Sequence, residues 1–310
     1  MLWKACVGTL LLALVVGGCG AVTSRGEGGG SPATAAPPVW GEPSCPDQIS
    51  DIDGSTSTTR SSIPGDFVTS WVLQCRRDIR DVPGQGRWMV IVAERADTPA
   101  SDLVGQLRQA SEPPSADQCP AILVVPPYFA LVDPTGKALL PVMPTDGCGF
   151  PREEARAALE ALPFRVLSET RVKQLESQQS IDSGCAESWK DELVINAGGA
   201  TPGPATPVWP TPADALRVCL YDTGRGTDEP VGQFASGRTI TGDEARTLSD
   251  ALGRAGPATA CSTPHTRFAV VTRDGAAQWA VAELDGCRRL LRPDNTLGQL
   301  DAFAIGALIG

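Results

Sequence analysis

Histidine is nearly absent: His265 is the single one in 310 residues. A histidine-dependent triad would need that imidazole to meet both a nucleophile and a carboxylate. His265 stands in "STPHTRF", at the expected edge of a strand, where a solvated position is the simpler reading. With the cysteines expected to be oxidised, the same scarcity excludes zinc centres built from His and Cys. Basic residues are outnumbered, 26 Lys and Arg against 36 Asp and Glu, for a net charge of −10. Lacking a basic stripe, such a chain is not expected to bind nucleic acid, and solubility accounts for its acidity. Phosphate-loop chemistry is missing as well. The stretches "GGGS" and "GGATPG" have no strand before them, no helix after them and no Gly-Lys-Ser/Thr. No cofactor and no metal are expected.

Long hydrophobic runs are also missing beyond the start of the chain, so no spanning helix is expected there. The start itself, "MLWKACVGTLLLALVVGGCG", places Lys4 before the apolar stretch Ala5–Val16. That order reads as a processing signal, too short for a comfortable membrane span. Val16-Gly17-Gly18-Cys19 resembles the bacterial lipobox, in which the cysteine is lipidated and becomes the new N-terminus. Residues 1–18 are therefore expected to be a lipoprotein signal peptide and Cys19 the lipidation site. Residues 19–44, Gly/Ser-rich and then Pro-rich, have the composition of a flexible tether. The expected partner at this end is a membrane, reached through the N-terminal lipid anchor on its extracytoplasmic face.

Cysteine is plentiful. Besides Cys6 and Cys19 there are Cys45, Cys75, Cys119, Cys148, Cys185, Cys219, Cys261 and Cys287. An even set in an exported chain reads as a disulfide framework. The first four are spaced by 30, 44 and 29 positions and the second four by 34, 42 and 26, one module written twice. "TPASDLVGQLRQAS" and "TGDEARTLSDALGRAGP" supply matching helical patterns, with Thr98 as an expected N-cap and Thr241-x-x-Glu244 as a capping box. Each module then runs through a third cysteine, two strands, Asp-Gly-Cys and a second helix. Cys261 and Cys287 lie at equal distances from Asp274 in the turn Arg273-Asp274-Gly275, and Cys119 and Cys148 nearly so about Asp133–Gly136. Hairpins folded at these turns pair Cys119 with Cys148 and Cys261 with Cys287. The others pair locally, Cys45 with Cys75 and Cys185 with Cys219. Asp146 and Asp285 of the repeated Asp-Gly-Cys then become turn residues.

The expected fold class is α+β: two tandem disulfide-bonded modules, each a small antiparallel sheet with two helices. Module 1 covers 45–163 and module 2 covers 164–310, with a Pro/Gly-rich loop at 196–213. "FRVLSETRV" is expected as a strand opening module 2, and "LGQLDAFAIGALIG" as a packed helix.

Candidate chemistry is sparse. Glu153-Glu154 and Asp243-Glu244 fall in first helical turns, where they meet the helix dipole. "DIDGSTS" from Asp51 has Thr56 where a calcium loop needs glycine, so a metal-free loop is expected. Trp40 and Trp209 share a Pro-Val-Trp context. They are expected to pack against their domains, the alternative being exposed contacts for a partner or glycan. No catalytic residue is proposed from the sequence.

The Cys19 lipobox, "SETRVKQLESQQSIDSGCAESWKDE" and Arg217-Val218-Cys219 resemble the secreted lipoproteins of high-GC Gram-positive bacteria. The resemblance implies a location at the cell membrane and brings no activity with it. The function expected is non-catalytic binding of an extracytoplasmic protein or glycan, the alternatives being a secreted hydrolase or a protein inhibitor. Radiolabelled palmitate should be incorporated by the chain and lost in Cys19→Ala. Label retained in that variant would overturn the anchor.

Overall fold

The computed structural model describes residues 39–52, 59–115, 119–196, 199–211, 213–223, 230–273 and 278–310. Cys19, residues 53–57 of "DIDGSTS" and the Asp274-Gly275 turn lie outside these residues. The first part of the chain forms β1 (Trp40–Gly41), α1 (Ile49–Ile52), β2 (Trp71–Val82), β3 (Gly86–Ala96), α2 (Ser101–Leu107), β4 (Tyr128–Val132), β5 (Ala138–Leu139) and α3 (Glu153–Glu160). A connecting stretch follows: β6 (Arg165–Glu176), α4 (Gln178–Ser183), β7 (Ser188–Lys190), α5 (Glu192–Ile195) and β8 (Thr201–Pro202). The last part forms β9 (Ala215–Thr223), β10 (Val231–Thr241), α6 (Gly242–Gly253), β11 (Gly256–Pro257), β12 (Arg267–Arg273), β13 (Trp279–Glu283), β14 (Arg289–Leu291), β15 (Thr296–Gln299) and α7 (Ala302–Ile309).

These strands make a six-stranded sheet ordered β1-β5-β4-β2-β3-β6 and a nine-stranded sheet ordered β11-β15-β14-β13-β12-β9-β10-β7, where β8 joins β15 in parallel. All other pairings are antiparallel. The internal repeat is visible as topology: β5-β4-β2-β3 in one sheet matches β13-β12-β9-β10 in the other.

The expectation of small sheets with two helices each is corrected: the protein is mostly β, in two large sheets with short helices. Two features account for the difference. After Cys75 the apolar alternation stops, yet β2 and β3 run on, because cross-strand ion pairs replace apolar contacts. Arg76 meets Glu94 at 3.0 Å, Arg80 meets Glu169 at 3.2 Å and Arg87 meets Glu176 at 2.7 Å. Opposite charges on neighbouring strands, as at Arg76–Glu94 and Arg87–Glu176, stabilise a ladder by tenths of a kcal/mol to about 1 kcal/mol per pair, and Arg80 reaches Glu169 across the intervening β3. In the second sheet "RRLLRPDNTLGQ" is not helix but the hairpin β14–β15, turned at Asn295, whose φ of 62° suits a left-handed turn position. The strand "FRVLSETRV" exists as β6, but it is hydrogen-bonded to β3 in the first sheet rather than opening the second.

The centre of each sheet is covered on both faces, while β6 and the far end of β2 stay largely exposed. On one face of the second sheet Leu216, Val218, Ala269 and Val271 pack against Leu248 and Leu252 of α6 and Leu308 of α7. The alternate residues Cys219, Tyr221, Phe268 and Val270 face Cys185 and Leu193 of the connecting stretch. This is the period-two alternation of a strand with both faces dry. The first sheet repeats the plan, with Val72, Phe129 and Leu131 toward α2 and α3 and Leu73, Cys75 and Tyr128 toward Ile52.

Disulfides join Cys45–Cys75, Cys119–Cys148, Cys185–Cys219 and Cys261–Cys287, the pairs that the spacing indicates. Cys75 and Cys219 occupy the central strands β2 and β9, so the first bridge of each set staples the covering segment across a sheet face. A Cβ at Gly237 would collide with Cys185 Sγ, so glycine on β10 makes room for the bridge. The expected helices are present at α2 and α6, but neither expected cap is. Ala100, with φ 50°, precedes α2, and Thr241 makes no side-chain cap while Glu244 pairs with Arg238 instead. Of the 196–213 stretch, Val208, Trp209 and Ala213 enter the core beside α6. Among the described residues no helix is long and apolar enough to cross a membrane.

Replacing Cys185 and Cys219 together by Ala should lower stability by roughly 3–4 kcal/mol, given the loop that the bridge closes. Urea unfolding of the double variant measures this. An unchanged midpoint would show that the segment is held to the sheet without the staple.

Candidate functional site

The described titratable groups converge at His265, and its position corrects the expectation of a solvated strand edge. The imidazole is buried, with 3% side-chain exposure, between Asp191 at 3% and Glu283 at 0%. Three elements bring these residues together. Asp191 caps α5, accepting from Val194 N through Oδ1 at 3.3 Å, and turns Oδ2 to His265 Nε2 at 2.7 Å. Glu283 ends β13 in register with Val281, so strand alternation points it into the face covered by the connecting stretch. Its Oε1 lies 3.2 Å from His265 Nδ1. Arg289 on β14 completes the cluster, donating to Glu283 Oε1 from Nε at 3.0 Å and from its terminal nitrogen at 2.5 Å. Its backbone N–H reaches Oε2 at 2.9 Å.

Burial alone would pull the His265 pKa down, but hydrogen bonds to Asp191 and Glu283 and the charges of both outweigh it and raise it to about 9. Glu283 is held below the usual carboxylate range. Its burial opposes ionisation, and hydrogen bonds from His265 and Arg289 more than offset that. Two cations face two carboxylates, so the buried group carries no net charge.

The second Asp-Gly-Cys holds the loop that carries this histidine. Asp285 accepts from Thr266 N and Thr266 Oγ1, each at 2.7 Å, so it reaches across to the loop rather than only turning its own chain. Gly286, at φ 63°, approaches Pro264 and His265 so closely that a Cβ would strike their backbone. Cys287 bonds Cys261 on the other side. In the first module Asp146 is a turn residue, accepting from Cys148 N and Phe150 N at 2.9 Å.

What this arrangement can do chemically is limited. Both ring nitrogens donate to carboxylates, so neither is left to take a proton from a nucleophile, and a group with a pKa near 9 is already protonated at neutral pH. Among the described residues no hydroxyl or thiol bonds to the ring. The cluster is a structural ion pair. Among the described residues no group of His, Cys, Asp or Glu is arranged to hold a metal ion.

The open surface offers a different kind of site. Trp40 on β1 lies with its ring centroid 5.7 Å from that of Phe67, and both line a groove of about 580 Å³ with Val68, Asp66 and Asp133. Asp133 sits at the expected turn, its Oδ1 accepting from Thr135 N and Oγ1 at 2.8 Å and from Lys137 N at 2.9 Å. Oδ2 stays outside those bonds. Trp209, in the same Pro-Val-Trp context, packs into the core as expected, whereas Trp40 remains 39% exposed.

Sequence reasoning named His265 and Trp40 but missed Asp191, Glu283 and Arg289. The available signal was Glu283 itself, a charge at an inward position of the alternating "WAVAEL". Comparison with known proteins finds no matching family model, no similar curated protein and no similar solved structure.

A raised histidine pKa stabilises the fold fully below the unfolded value of 6.5 and is lost as pH rises through about 9. Stability should therefore fall by on the order of 3 kcal/mol between pH 6.5 and pH values above 9. In His265→Gln that component should vanish, with the variant least stable relative to the parent at pH 6. Parallel stability–pH curves for the two proteins would contradict the cluster's charge state.

Proposed function

We propose that this is a lipid-anchored, extracytoplasmic, non-catalytic binding protein of the kind that the lipobox at Cys19 resembles. Its ligand presents a positively charged group to the groove at Trp40. The observation that carries this reading is the meeting of two aromatic rings and two carboxylates in one open groove, while the titratable cluster at His265 is sealed. An aromatic face attracts a cation by about 0.5–1 kcal/mol at exposed sites and about 2 kcal/mol when desolvated. Asp66 and Asp133 add charge of the right sign, and among the described residues neither Lys137, whose charge acts on Asp133, nor Arg108, which donates to Pro64 O at 2.9 Å, is part of the lining. The tether expected over residues 19–44, shortened by the inclusion of Trp40–Gly41 in β1, would present the groove outside the bilayer. The eight cysteines closed into four bridges fit an oxidising compartment. His265, with both ring nitrogens bonded to carboxylates, does not serve as a general base.

Titration of tryptophan fluorescence with arginine methyl ester, tetramethylammonium and a neutral chito-oligosaccharide tests the reading. The two cations should bind, and Trp40→Ala should weaken them by about 1 kcal/mol, roughly fivefold in Kd. Asp66→Asn should weaken them also. Binding of the sugar alone, or of cations equally to Trp40→Ala, would contradict a cation groove.

A further inference from the structure

Between Cys119 and β4 the chain runs Pro120-Ala121-Ile122-Leu123-Val124-Val125-Pro126-Pro127, without a charge. Ile122, Leu123 and Val124 are 61%, 92% and 40% exposed, the longest unbroken exposed run of large apolar residues among those described. Among the described residues no hydrogen bond uses the backbone of residues 121–125. Both ends are nevertheless fixed. Cys119 is bonded to Cys148, and Pro127 O accepts from Arg60 at 3.3 Å immediately before β4. The prolines hold their own φ and bias the residues before them to extended conformations, and Ile and Val favour the same region.

The internal repeat provides a control. The matching position in the second module is the shorter Ser262–Thr266, polar, bonded to Asp285 and carrying the buried His265. An exposed apolar segment is therefore not a requirement of the fold.

We propose that Pro120–Pro126 is a self-association strand, at which two copies of the chain pair antiparallel about a twofold axis through Leu123. The sequence is symmetric about that residue in what matters for pairing. Pro120 meets Pro126, Ala121 meets Val125 and Ile122 meets Val124. With Ala121, Leu123 and Val125 in the hydrogen-bonded pairs, both prolines fall where the ring nitrogen faces away from the partner and no ladder donor is missing. Ile122 and Val124 then occupy the close, non-hydrogen-bonded pairs suited to β-branched contacts. A bilayer is the less fitting occupant, because unpaired backbone groups in hydrocarbon cost several kcal/mol each. So short a pairing buries less than the ~800 Å² per partner of a stable dimer, which makes the association dependent on concentration. Anchoring at Cys19, proposed above, would raise the local concentration, but the pairing geometry does not rest on it.

Cysteine crosslinking of the full exported chain tests the proposal. Across the axis two copies of residue 123 stand about 5.5 Å apart between Cα atoms, within the span of a disulfide. Leu123→Cys should therefore give a covalent dimer on non-reducing gels, while the exposed control Val68→Cys gives none. Ile122→Cys should crosslink to co-expressed Val124→Cys and not to itself, since its own copies lie beyond disulfide reach. Sedimentation of the parent protein should double in mass with rising concentration, and Leu123→Asp should abolish that. The same pattern in a Cys19→Ala background separates this proposal from the anchor. A parent chain monomeric at every concentration, or Leu123→Cys crosslinking no more than Val68→Cys, would overturn the proposal. Leu123-dependent flotation with phosphatidylglycerol vesicles, without crosslinking, would assign the loop to a bilayer instead.

Discussion

One buried proton organises the second half of the molecule. His265 joins Asp191, on the segment that covers the sheet, to Glu283 on β13, and Arg289 balances the remaining charge. Taking such ions out of water is expensive, and partner removal is costly because it leaves an uncompensated charge. The group is tolerated because every carboxylate has two or more donors and the charges cancel. The surrounding contacts follow from the need to hold it. Asp285, Gly286 and Cys287 grip the histidine loop, while Tyr221 stacks on Phe268 at 5.3 Å and donates to Ala186 O. The Phe268 ring in turn meets the imidazole edge-on at 6.1 Å.

The two modules solve the same packing problem differently. Each places helices on one face of its sheet and staples a covering segment to the other through a cysteine of the central strand. Of the buried polar residues described, Thr69 alone lies in the first sheet's half, while Ser180, Asp191, His265, Glu283 and Arg292 belong to the connecting stretch and the second half. The second module is thus specified by buried charge. The first keeps an apolar interior and turns its aromatic and aliphatic surplus outward, at Trp40 and at the loop before β4.

Legibility from sequence followed the range of the interaction concerned. The pairs Cys119–Cys148 and Cys261–Cys287 could be read because each flanks a hairpin, although the strand registers do not set the two cysteines directly opposite one another and the bridges form in the loops beyond the strands. The other two pairs could be read only as the nearest partners left. Helices α2 and α6 could be read from apolar spacing, although their caps were misassigned, since Thr98 stands too far before Ser101 and Glu244 is drawn to Arg238. The extension of β2 and β3 was not legible. It is held by charged rather than apolar side chains, partly between β2 and β3 themselves, as at Arg76–Glu94, and partly to β6 from far along the chain, as at Arg87–Glu176. Nor was the burial of His265, whose partner Asp191 lies 74 positions away. Trp40 and Trp209 show the limit most plainly. Identical Pro-Val-Trp contexts place one on an edge strand and the other under α6.

The central claim is that the lone histidine is a locked, charged structural residue, so that whatever this protein does is done at its open surfaces. A chain with a single imidazole allows a direct measurement: the pH dependence of the His265 ring resonances by NMR. The account predicts one titration with a midpoint near 9 and slow loss of the ring N–H signals to solvent. A midpoint near 6.5 with rapid exchange would mean that the ring is open to water, and the sealed cluster, with the division of labour built on it, would not stand.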